Sequence, residues 1–165
     1  SRCERIPFAP LGPEEAWAVA LQNGWTEVDR PRWTALGEGG LRFLDEAAFR
    51  RAEAQVEAWL ALLGGCSFSD AGQALLPERD SPVAQGEQLR QPLELLLRLL
   101  ADLARLRAGE APALEPWREA MEPLAAQPRD LRPPQEAALD SLRNLARNLS
   151  PEPLLREVGL ALQGA

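Results

Sequence analysis

The chain is 165 residues long, 45% hydrophobic and 26% charged, with a formal net charge of −7. It has no His, no Tyr and no Lys. This excludes His-based acid–base and triad chemistry and a Lys-bearing phosphate loop. It also disfavours binding of duplex nucleic acid over the whole surface, which calls for positive charge.

Leu, Ala, Glu and Arg dominate and are strong helix formers, whereas strand formers are scarce and Ile6 is the only isoleucine. The composition therefore predicts an all-α fold. All 18 basic residues are Arg. The most apolar stretch, residues 89–106, is interrupted by Glu94, Arg98, Asp102 and Arg105, so no run reaches the roughly 18 apolar residues of a membrane span. With no signal peptide visible, a cytoplasmic protein is expected. The chain opens on Ser1-Arg2-Cys3 without an initiator Met and reads as a piece of a longer protein. Cys3 and Cys66 lack metal-site spacing. Reduced thiols are the reading for a cytosolic compartment, with a disulfide left open.

In chain order, residues 3–11 read as an extended segment around Ile6, Phe8 and Leu11. Gly12-Pro13-Glu14-Glu15 reads as a helix start, with Pro in the first turn and acids suited to the helix dipole. Ala16, Trp17, Ala20 and Leu21 give that helix an apolar stripe, and Asn23-Gly24 ends it. Residues 31–36 form a second short helix, residues 37–40 a Gly-rich break, and a third short element begins near Leu41.

Asp45 caps a longer helix, with Phe49, Ala52, Val56, Trp59, Leu60 and Leu63 on one face. Gly64-Gly65 stops it. A weak helix near residues 70–76 and a loop over 77–82 follow. The strongest signal is a helix through Leu93, Leu96, Leu97, Leu100, Leu103, Ala104 and Arg107, widened by Leu95, Leu99 and Leu106. A helix apolar over so much of its surface is central to a bundle. Pro92 either starts this helix or kinks one that begins near Ala84. Residues 109–112 form a turn, 114–126 a moderate helix and 128–134 a linker. Residues 135–148 form an amphipathic helix, with Leu139, Leu142, Leu145, Ala146 and Leu149 on its apolar side. Ser150-Pro151-Glu152 opens a last helix through Leu154, Leu155, Val158 and Leu162. This divides the chain into a front part, 1–44, and a helical bundle, 45–165.

Candidate chemistry is sparse. The Gly-rich stretch 37–40 follows a helix and not a strand, so it reads as a turn. The carboxylates fall on faces that read as solvated, and no catalytic dyad emerges. Trp17 and Trp59 lie on apolar stripes and read as core. Trp25 and Trp33 read as partly exposed, and Arg30 and Arg32 beside Trp33 keep a base-stacking surface in view.

Ser1-Arg2-Cys3 followed by Arg5-Ile6-x-Phe8-x-Pro10-Leu11-x-x-Glu14-Glu15 resembles a segment of the bacterial DNA polymerase III clamp-loader subunits, members of the AAA+ superfamily. Residues 35–42 are similar to the family's Gly-rich lid turn with its nearby Arg. Residues 148–155 resemble the start of its last collar helix, apart from Pro153 and a missing second Asn. The resemblance implies a small AAA+ lid three-helix bundle over 1–44 followed by a helical collar over 45–165. It further implies that Arg2 is an arginine finger acting in trans on a neighbour's ATP. Such a guanidinium fork stays charged and stabilises the charge that develops on the transferred phosphoryl group.

Within the family the chain is nearest the delta-prime class, which has no ATP site of its own. In the gamma/tau alternative, Arg42 is a lid sensor arginine touching nucleotide. The partners implied are the gamma/tau and delta subunits through the collar, and the sliding clamp and primed DNA indirectly. No cofactor is expected in this stretch, only ATP on neighbouring subunits. On this reading the stretch itself is no enzyme, although its parent complex contains a clamp-loader ATPase within a DNA polymerase. Apolar surface left over on the two Leu-rich helices would suit subunit packing. A different class of reading is a stand-alone helical protein- or DNA-binding module.

Overall fold

The computed structural model describes residues 11–37, 41–76, 82–145 and 151–163. Among these residues there is helix and no strand. The helices are α1 (Pro13–Gln22), α2 (Arg30–Gly37), α3 (Glu46–Leu63), α4 (Phe68–Ala71), α5 (Pro82–Arg107), α6 (Arg118–Ala125), α7 (Arg132–Asn144) and α8 (Pro151–Gln163), with 3-10 turns at Leu41–Phe43, Gly72–Leu75 and Glu115–Trp117. None of the described helices is long and apolar enough to cross a membrane.

Local chemistry sets the helix ends. Glu15 reaches back to accept the Gly12 N–H at 2.8 Å, which satisfies a donor that has no partner inside α1. The Asp45 carboxylate accepts the N–H groups of Ala47 at 3.2 Å and Ala48 at 3.3 Å, so the cap read from the sequence is formed. Beyond α3, Gly65 adopts φ +96°, a left-handed conformation that costs glycine little. The Cys66 N–H then returns to the Ala61 carbonyl.

Helix α5 runs through Pro92 without ending there. Burial follows most of the apolar face expected along it: Leu89, Leu93, Leu95, Leu96, Leu99, Leu100 and Leu103 are buried, while Ala104 and Arg107 are exposed. The helix packs against α3, α6, α7 and α8, which uses most of its apolar surface inside the chain. Two positions expected on apolar stripes lie outward: Leu21 and Leu139 are exposed. Helix α7 also begins earlier than expected, at Arg132. Pro133 and Pro134 fall in its first turn, where a missing N–H leaves no helical bond unmade.

One hydrophobic cluster runs from Ala16, Trp17 and Trp33 through α3 and α5 to Leu155 and Leu162. Its front end is aromatic. Trp17 meets Trp33 edge-on at 5.4 Å between ring centroids, and Phe49 meets Trp25 at 4.8 Å and Phe43 at 6.2 Å. Edge-to-face pairs contribute about 0.5–1.5 kcal/mol beyond the area they bury. The front helices are therefore packed onto the start of α3 through rings.

Arginines from distant elements close two further helix ends. The Arg107 guanidinium donates to the carbonyls of Ala125 at 3.0 Å, Gln127 at 2.8 Å and Arg129 at 2.9 Å. Arg129 in turn donates to the Leu63 carbonyl at the end of α3, at 2.6 Å. Ala125 and Leu63 are the last residues of α6 and α3, where carbonyls lack a partner within the helix and a cation suits its negative end.

Candidate functional site at the junction of the front helices and the bundle

Of the two arginines singled out in the sequence, Arg2 lies outside the described residues. Arg42 sits in the 3-10 turn Leu41–Phe43, next to Phe43, whose carbonyl accepts the Trp33 indole N–H at 2.9 Å. Residues 38–40 of the Gly-rich break, and Ala146 and Leu149 of the expected apolar stripe, also lie outside the described residues.

Trp25 and Trp33, expected to be partly exposed, are buried at 8% and 0% exposure. The reason is the aromatic cluster, which needs both rings. A base-stacking surface on Trp33 is thereby overturned, because stacking requires an open ring face.

The expectation that carboxylates lie on solvated faces fails at two positions. Glu53 on α3 and Asp102 on α5 are buried, and each is fully engaged. Glu53 accepts from Arg32 of α2 at 3.1 Å through one oxygen and from Arg50 at 2.7 Å through the other. A second arm of Arg50 donates to Asp29 at 3.2 Å, and Asp29 accepts the Thr26 hydroxyl at 2.7 Å. The Thr26 hydroxyl bond, and then Arg50, hold the Asp29 carboxyl below its usual range; the same contacts with Glu53 raise Arg50. The guanidinium of Arg32 also lies 5.6 Å from the centre of the Trp117 ring. Trp117 is buried, and its indole N–H has no acceptor among the described residues.

Arg98 makes the opposite reach, from α5 towards the front. It donates to the carbonyl of Leu36 at 3.0 Å and to that of Ala35, closing the C-terminal end of α2. Thus α2 sends Arg32 to the bundle and receives Arg98 from it. Arg98 also borders an open groove of about 680 Å³, lined by Pro13, Arg30, Pro31, Thr34 and Ala35 together with Ala113, Glu115 and Pro116.

This arrangement can hold and orient helices, and its groove can take an apolar group. Sequence reasoning missed Glu53, Arg98 and Asp102 as structural anchors. The available signal was a charged residue at helical spacing inside an apolar run: Glu53 falls between Phe49 and Val56, and Arg98 and Asp102 fall among the leucines of α5. Comparison with family models, with curated proteins and with solved structures finds no match.

Proposed function

We propose that this chain is the lid and collar part of a delta-prime-type subunit of a bacterial DNA polymerase III clamp loader, a part that assembles the ring and carries no ATP site. The supporting observation is the motif from Ser1-Arg2-Cys3 to Glu14-Glu15. Its last four residues, Gly12 to Glu15, fall at the start of α1, where a lid would begin. Short front helices followed by a helical bundle around α5 are consistent with a lid and a collar. On this reading the bundle joins neighbouring gamma/tau and delta subunits, and Arg2 acts on the ATP of the next subunit.

The test uses the full-length protein carrying this segment, mixed with gamma/tau and delta subunits. The expected result is a stable heteromeric ring by light scattering coupled to size exclusion. In that ring, Arg2→Ala should lower ATP hydrolysis at the adjoining site by roughly 10³-fold, with assembly retained. A protein that stays monomeric beside those subunits, or a ring indifferent to Arg2→Ala, sinks the proposal. ATP binding by the full-length protein alone, lost on Arg42→Ala, would instead identify a gamma/tau-type subunit.

A further inference from the structure

We draw no further inference here: the strongest candidate, the apolar groove between α2 and the 113–116 loop, carries none because nothing in the structure shows what covers it.

Discussion

The indole N–H of Trp59 donates to the carbonyl oxygen of Pro92 at 2.7 Å, inside the core. Proline inside a helix removes one backbone donor and crowds the preceding turn. Here a side chain from α3 grips α5 at that weakened point. Trp59→Phe keeps an aromatic ring but loses the bond and leaves a small void. The expected cost is about 2 kcal/mol. Thermal unfolding followed by circular dichroism should show Tm lower by roughly 4–8 °C. An unchanged Tm would show that the bond contributes nothing net.

Asp102 is the buried anchor of the turn after α5. It accepts the backbone N–H groups of Ala113 and Leu114, both at 2.8 Å, and a guanidinium N–H of Arg105 at 3.0 Å. An amide in its place can accept through one oxygen only and turns a donor towards a buried N–H. Asp102→Asn should therefore destabilise the chain by about 2–3 kcal/mol, read as a lower urea midpoint with an unchanged slope. Asp102→Asn at wild-type stability would contradict this account.

Asp29 supplies a pH dependence with a definite sign. Its carboxyl is held below the usual range in the folded chain, chiefly by the Thr26 hydroxyl. A depressed carboxylate contributes stability above its unfolded pKa of about 3.9, and the contribution is lost as pH falls through the folded value. Stability should thus drop on acidification below about pH 4. Thr26→Val should move the Asp29 titration, followed by carboxyl carbon NMR, back up towards the ordinary range. No movement would mean that Arg50 alone sets it.

Phe68 lies against two glycines. A Cβ added at Gly72 would come within 2.7 Å of the Phe68 ring, and one at Gly159 of α8 within 3.0 Å. Gly72→Ala is expected to cost about 1–2 kcal/mol through overpacking. In a double-mutant cycle, Phe68→Ala should remove most of that penalty. If the two changes simply add, the ring is not the obstacle.

Helix existence was readable from composition and from the 3.6-residue spacing of residues such as Phe49, Val56 and Trp59, and the Asp45 cap from its residue type. Side-chain placement was less so. Periodicity gives a face, not what covers it, so Leu21 and Leu139 looked inward although both are exposed. Trp25 and Trp33 sit on short segments with no stripe of their own, and only three-dimensional packing brings them to Trp17 and Phe49. Glu53, Arg98 and Asp102 were legible as charges within apolar runs, and Arg50 and Arg105 stand at helical spacing from Glu53 and Asp102, but their remaining partners lie on other elements, at separations that no local pattern encodes. For Arg2 the sequence offers a motif, and its assignment rests there.

The arginine contacts at the helix ends also depend on one another. Arg129 can reach the Leu63 carbonyl only when residues 125–129 are in place, and Arg107 gathers three carbonyls of that stretch. Such links join residues far apart in the chain, and they are expected to complete after the helices have met. Replacing Arg107 with Met should then quicken unfolding by roughly ten-fold while leaving the folding rate near its original value. On that expectation the chain's endurance, more than its speed of assembly, would depend on a clasp whose second link holds only once the first has closed.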